Sequence, residues 1–126
     1  MKEKEINVLM VEPGKHPVVT TVENNLDALQ KAVSIGAESQ GLIELIWLEK
    51  GVLMMCHEGG KLLGLAGNRR IGGDVIAGVF YIIGEDSSGE LCSLSKKMME
   101  KYMDRFWDVE YYTPADVEQA LFMRLF

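Results

Sequence analysis

The densest concentration of groups able to do chemistry lies between residues 58 and 74. Six glycines (59, 60, 64, 67, 72 and 73) are interleaved there with Lys61, Asn68, Arg69 and Arg70. Glycine-permitted turns can aim successive backbone N–H groups at one point as an anion nest, and arginine offers a planar fork to phosphate or carboxylate. The segment carries three basic and two acidic side chains, a local balance of +1 in a chain whose formal net charge is −6. Lys61, Asn68, Arg69 and Arg70 are therefore the candidate ligand-binding residues, for a small anionic ligand or substrate. The established phosphate templates do not fit. Gly59 and Gly64 have P-loop spacing, but Leu65-Ala66 follow where Lys-Ser/Thr is required, and no G-x-G-x-x-G occurs. The competing reading is a set of turns in which Arg69 holds a loop to a carboxylate.

Other reactive side chains fail to assemble. Cys56, His57 and Glu58 have the composition of a nucleophile set. On a strand, however, Cys56 and His57 point to opposite faces and cannot share a hydrogen bond. Cys56 is expected in the core. Two histidines and two cysteines without C-x-x-C or H-x-x-x-H spacing give no zinc signature, and His16 reads as a solvated loop residue. Glu85, Asp86 and Glu90 lack the glycine and ligand spacing of a calcium loop and read as a surface turn. No catalytic residue, metal ligand or cofactor is assigned.

The elements that must position these residues follow from periodicity. The 126 residues suit one domain over 1–126, and 48% apolar composition supplies a core without disulfides or metal. Residues 5–12 read as a strand ended by Pro13-Gly14, followed by a loop to about residue 23 in which Val18, Thr20 and Val22 alternate weakly. Leu26, Leu29 and Val33 mark a helix capped by Asn24 and ended near Gly36. Residues 42–48 and 52–57 form a hairpin about Glu49-Lys50-Gly51. Residues 75–83 read as one apolar strand.

Two helices close the chain. Ser93 or Ser95 caps the first, which carries Met99, Tyr102, Met103 and Phe106 inward. The second opens on Thr113, Pro114 and Asp116 and turns Val117, Ala120 and Leu121 inward. The expected class is α+β, an approximately four-stranded mixed sheet in β-α-β-β-β order followed by two C-terminal helices. A right-handed parallel crossover would join the first two strands if they share a sheet.

Strands apolar on both faces must be covered twice, by helices on the two sides or by a second copy. With Phe122, Met123, Leu125 and Phe126 leaving the last helix little polar surface, a homodimer making contact through that helix stays open beside coverage by the helices alone. Trp47 shares a face with Ile43 and Leu45 and is expected in the core. Trp107, Tyr111 and Tyr112 are expected to close a helix–helix corner.

The order of motifs resembles a known family. Ile6-Asn-Val-Leu-Met-Val-Glu-Pro13, Leu26-Asp-Ala-Leu-Gln30, His57-Glu-Gly-Gly-Lys-Leu-Leu-Gly-Leu65 with Asn68-Arg69, Asp74-Val-Ile-Ala-Gly-Val-Phe-Tyr-Ile-Ile-Gly84 and Ser93-Leu-Ser95 are similar to the domain of unknown function 3846 (DUF3846). The similarity runs from about residue 5 to 106, leaving 107–126 as a helical extension. Such proteins occur largely in gut-type Firmicutes, phages and other mobile elements, and the resemblance carries no catalytic residues with it. The resemblance implies no established activity; taken with the absence of an assembled catalytic set, it leads to the expectation of an accessory or anti-defence factor acting through protein contact.

Composition limits the alternatives. A net charge of −6 argues against direct nucleic-acid binding, which relies on clustered Lys and Arg. Duplex mimicry would require the dispersed carboxylates to gather on one face. No run approaches the length of a membrane span, and the N-terminus lacks an h-region, so the cytoplasm is expected, with reduced thiols. The leading function is a non-enzymatic protein-interaction or accessory role. The alternative is a binder or enzyme for a small anionic ligand at the 58–74 segment.

Overall fold

The computed structural model describes residues 3–125, with the side chains of Arg124 and Leu125 outside the description. Its centre is an antiparallel sheet. Strand β1 (Glu5–Val11) pairs with β2 (Val18–Glu23) on one side and with β7 (Phe80–Glu85) on the other. β7 continues to β4 (Val52–His57), which pairs with β3 (Ile43–Glu49), giving the order β2-β1-β7-β4-β3. The short β8 (Leu91–Cys92) adds to β7 off this path. A separate hairpin, β5 (Gly67–Ile71) with β6 (Asp74–Ala77), stands apart.

This corrects the expected mixed sheet of about four strands. Every pairing is antiparallel, β1 and β3 are not neighbours, and no parallel crossover exists between them. Two strands account for most of the difference. Val18–Glu23 is a strand rather than a loop. Residues 75–83 are two strands broken at Gly78, whose φ of +83° lies in the left-handed region that side-chain-bearing residues avoid.

Helices divide between the two sheet faces. Helix α1 (Leu26–Val33) covers one, where Leu29 and Val33 meet Ile6, Val8, Leu53, Met55, Tyr81 and Ile83. Helix α2 (Lys96–Arg105) covers the other, where Tyr102 and Phe106 meet Leu9, Val11, Val52, Met54, Phe80 and Ile82. Strand alternation sorts the residues of β1, β4 and β7 between the two cores, and all six residues of β4 are buried. Double coverage is thus achieved within the chain. Helix α3 (Pro114–Leu125) packs instead on the β5–β6 hairpin, burying Val117 against Val75 and Ala77.

Caps follow local chemistry. Asn25, one residue later than expected, caps α1 by accepting from the Ala28 N–H at 2.8 Å. Asn24 is instead buried, donating to the Glu3 and Leu91 carbonyls. Ser95 caps α2, while the Ser93 hydroxyl accepts from the Asn7 N–H. At α3, Thr113 and Asp116 each accept the other's backbone N–H, at 3.1 and 2.8 Å, a reciprocal capping box.

Candidate functional site

The four candidate anion-binding residues are not brought together. Antiparallel alternation turns Arg69 and Arg70 to opposite faces of β5. Arg69 is fully buried, and its five N–H groups meet five acceptor contacts. Nε and Nη2 donate to the Phe106 carbonyl at 3.1 and 3.0 Å, and Nη2 also donates to the Lys15 carbonyl at 2.8 Å. Nη1 donates to the Asn68 side-chain and main-chain oxygens at 2.9 and 3.4 Å. Burial pulls the guanidinium pKa down, and Glu110, Tyr112 and Asp108 push it back up.

Asn68 completes this hub. Its amide, also fully buried, donates to the Val11 and Gly78 carbonyls at 2.8 and 2.9 Å. The pair therefore ties the end of β1, the β1–β2 loop, the Gly78 break and the C-terminus of α2 to one hairpin. A cation among the last carbonyls of a helix is also favourably placed in the helix dipole. Arg69 does hold loops, but through carbonyl oxygens rather than the expected carboxylate.

The other two cations lie elsewhere. Arg70 is exposed, with its guanidinium 5.6 Å from the Tyr112 ring centre and its backbone N–H donating to Glu110. It borders a shallow depression of about 140 Å³ with Asp116 and Gln119. Lys61 pairs with Asp74 at 2.8 Å and lines a different, larger recess.

That recess is an open-sided groove of about 620 Å³ at the ends of β3 and β4. Its walls come from Leu42 and Glu44 beside β4, from the 58–63 loop, from Ile76 and Ala77 of β6, and from Leu121 of α3. The loop turns back at Gly60, where a Cβ would stand 2.6 Å from the Ala77 carbonyl oxygen. Leu62 and Leu63 project from the loop at 78% and 56% exposure, and Leu42 faces them at 63%. The rim is polar. Glu44, Glu58 and the Lys61–Asp74 pair surround the leucines, and the Cys56 thiol lies 3.7 Å from a Glu44 carboxylate oxygen.

Cys56 and His57 do not cooperate. The His57 Nδ1 accepts from the Gly59 N–H at 2.9 Å, which assigns the ring proton to Nε2. Among the described residues Nε2, buried against Gly41, has no hydrogen-bond partner, and a Cβ at position 41 would stand 2.0 Å from it. Cys56 is buried, and no disulfide joins it to Cys92. Among the described residues no cluster of His, Cys, Asp or Glu is arranged to hold a metal.

Two aromatic expectations change. Trp47 is 64% exposed and Leu45 beside it is also exposed, because the short α1 leaves this end of the β3 face uncovered. His16 is not merely solvated. Its ring stacks on Trp107 at 4.0 Å, and its Nδ1 lies 2.6 Å from the Trp107 carbonyl. Tyr112 packs beside Val117 and donates to Glu110, whereas Tyr111 projects outward. Asp86 organises the 85–90 turn by accepting from the Ser88 hydroxyl and the Ser88 and Glu90 N–H groups, bonds that lower its pKa.

Fold and groove together define an α+β protein built on a twice-covered antiparallel sheet with one apolar recess at its edge. The chain belongs to the DUF3846 family (domain of unknown function), whose family model matches residues 6–107. The match ends before α3, whose Leu121 forms one wall of the groove. Comparison with curated proteins and with solved structures finds no match. No described helix is long and apolar enough to cross a membrane.

Proposed function

We propose that the chain is a non-enzymatic protein-interaction module whose groove receives an apolar segment of a partner polypeptide. The observation that carries this reading is the exposure of Leu42, Leu62 and Leu63 around one recess. Contiguous exposed apolar surface with a polar border is the usual form of a protein-docking site, and scattered leucines are not. Fully burying a leucine side chain contributes about 1.5–3 kcal/mol, so three half-to-mostly exposed leucines supply a substantial driving force for docking. The acidic rim at Glu44 and Glu58 favours a segment that carries a basic residue beside its apolar ones.

The same proposal places the chain in the cytoplasm as an accessory or anti-defence factor of a phage or other mobile element; the matched family is a domain of unknown function and assigns no competing activity. The small-anion alternative is less well supported, because Arg69 and Asn68 are engaged inside the fold and Lys61 and Arg70 border different recesses. Selection from a random-peptide display library on the immobilised protein tests the reading. Enriched peptides should share spaced apolar residues, and their binding should fall at least about tenfold, or 1.4 kcal/mol, in a Leu62→Glu/Leu63→Glu variant. Enriched peptides that bind this variant unchanged would show that the groove is not the docking site.

A further inference from the structure

The loop that carries Leu62 and Leu63 is fastened through one histidine. Strand alternation places His57, the last residue of β4, on the α1 face with Leu53 and Met55, opposite Ile43 of β3. The residue is only 7% exposed, and its ring is held on two edges. Nδ1 accepts the Gly59 N–H at 2.9 Å, across the first turn of the loop. The other edge presses on Gly41, where a Cβ would stand 2.0, 2.3 and 2.9 Å from Nε2, Cε1 and Cδ2. Gly41 is itself anchored, since its N–H donates to the Ser34 hydroxyl, which donates to the Gln30 carbonyl of α1. The rest of the loop is built on this start. Gly60 N–H donates to the His57 carbonyl, Leu63 N–H to the Gly59 carbonyl and Leu65 N–H to the Gly60 carbonyl. Where Gly59 sits therefore decides where Leu62 and Leu63 stand.

This slot accepts one protonation state. Neutral imidazole with its proton on Nε2 offers the lone pair that the Gly59 N–H needs, whereas imidazolium carries N–H on both nitrogens and accepts nothing. A proton on Nδ1 would face the Gly59 N–H, donor against donor. The Nε2–H would still face Gly41, with no acceptor among the described residues. Burying a charge without hydrogen bonds is far costlier than exposing it. Titratable groups on the surrounding elements are engaged elsewhere. On α1, Lys31 pairs with Asp27 at the exposed surface, and Glu38 beyond the helix is exposed. On β7, Tyr81 shares the His57 face and donates to the Ala32 carbonyl. On β3, Glu44 stands with Cys56 on the opposite face. In the loop, Lys61 pairs with Asp74, and Glu58 lies on the groove rim.

We propose that His57 is a proton-operated latch on the groove. Neutral, it holds the 58–63 loop in the shape that gathers Leu62 and Leu63 beside Leu42. Protonated, it lets go of Gly59 and shifts the loop away from the form that a partner binds. The consequence for a partner rests on the groove reading, whereas release of the loop does not. The closed loop is the deprotonated form, so acid opens it. With the proton excluded from the closed form and taken up by the opened one as by an ordinary histidine, near about 6.5, the opening constant rises about tenfold between about pH 7.5 and about pH 5.5.

Ring-nitrogen magnetic resonance and amide protection factors of the labelled full chain test the latch. At neutral pH the His57 ring should carry its proton on Nε2 alone. Between about pH 7.5 and about pH 5.5 the protection of Gly59, Gly60 and Leu63 should fall about tenfold, while Leu9 and Ile82 in the sheet keep theirs. His57→Asn supplies a carbonyl oxygen near the place of Nδ1 and takes up no proton, so its loop should stay protected at both pH values. His16 is untouched in that variant, which separates the two histidines. Tautomer and protection are read in the wild type, so the decision does not depend on the variant folding. A proton on Nδ1 at neutral pH, equal loop protection at the two pH values, or an acid response that survives in His57→Asn would overturn the proposal. A saturating display-selected peptide, which binds the closed form, should restore loop protection in acid. Loop release that the peptide does not reverse would support the latch and count against the groove reading.

Discussion

Replacing Arg69 with alanine removes the side chain that joins the β5–β6 hairpin to both Phe106 and Lys15 by hydrogen bonds. A hydrogen bond from a charged donor contributes about 1.5–3 kcal/mol, and each buried acceptor left without a partner costs about 1–3 kcal/mol. The Phe106 and Lys15 carbonyls and the Asn68 amide oxygen all lose a donor, and water entering the vacated space recovers part of the loss. The expected destabilisation is about 4 kcal/mol, within the range for breaking a buried charged network. Unfolding entropy is about 2.1 cal/mol/K per residue, so in a chain of 126 residues this corresponds to a fall in Tm of about 15 °C. Thermal and urea unfolding followed by circular dichroism measure it. Arg69→Lys, with three donors on a flexible stem, should lie between wild type and alanine. Excess inorganic phosphate should leave the wild-type Tm unchanged apart from its general salt effect, since the guanidinium donors are already engaged. A loss below about 1 kcal/mol, or specific stabilisation by phosphate that Arg69→Ala abolishes, would refute the structural role.

Two tyrosines report on the two cores. Burial, assisted by Glu12, pushes the Tyr81 hydroxyl to about 12, and burial with the Glu49 hydrogen bond pushes Tyr102 to about 12. Folded pKa values raised above the ordinary value near 10 mean that this stabilising contribution is complete below about pH 10 and lost as pH rises toward 12. Ultraviolet titration should therefore show Tyr81 and Tyr102 ionising late, with Tyr112 also raised by burial and its bond to Glu110, and early ionisation of Tyr81 or Tyr102 in a folded protein would contradict the packing. At α3, Thr113→Ala removes the cap and should cost about 1 kcal/mol. The Thr113 N–H bond lowers the Asp116 pKa, so that bond's contribution is present above the ordinary carboxylate range and fades as pH falls through the lowered value. Amide exchange in residues 115–120 should accelerate in Thr113→Ala and, in the wild type, as acid protonates Asp116.

The parts of this fold legible in the sequence were those set by neighbours in the chain. Thr113, Pro114 and Asp116 announced α3, Ser93 or Ser95 announced α2, and Glu49-Lys50-Gly51 announced the β3–β4 hairpin, because caps and tight turns are local chemistry. Alternation at Val18, Thr20 and Val22 was present but weak, since this edge strand is mostly exposed and its periodicity has little burial to enforce it. Gly78 was hidden inside an apolar run, where only a left-handed backbone angle separates one long strand from two. Strand order was illegible because it depends on contacts far apart in sequence, such as Leu9 with Ile82.

At the site, composition misdirected where it spoke most strongly. Arg69 and Asn68 had the chemistry of a ligand site, yet long-range carbonyls from residues 11, 15, 78 and 106 engaged them. The groove left a fainter trace. Leu62 and Leu63 follow the Gly59-Gly60 pair and would have been noticed as adjacent apolar residues in a turn-rich segment. Trp47 followed the correct alternation, but no strand pattern reveals that an eight-residue helix is too short to reach it.

The groove reading is tested most directly by amide shift mapping with a peptide enriched in the display selection. Titrated into the labelled full chain, it should perturb residues 42–44, 58–63, 76–77 and 121 as one contiguous patch. Saturable binding with its largest changes at Arg70, Tyr111 or α2, and none around Leu62 and Leu63, would contradict the reading.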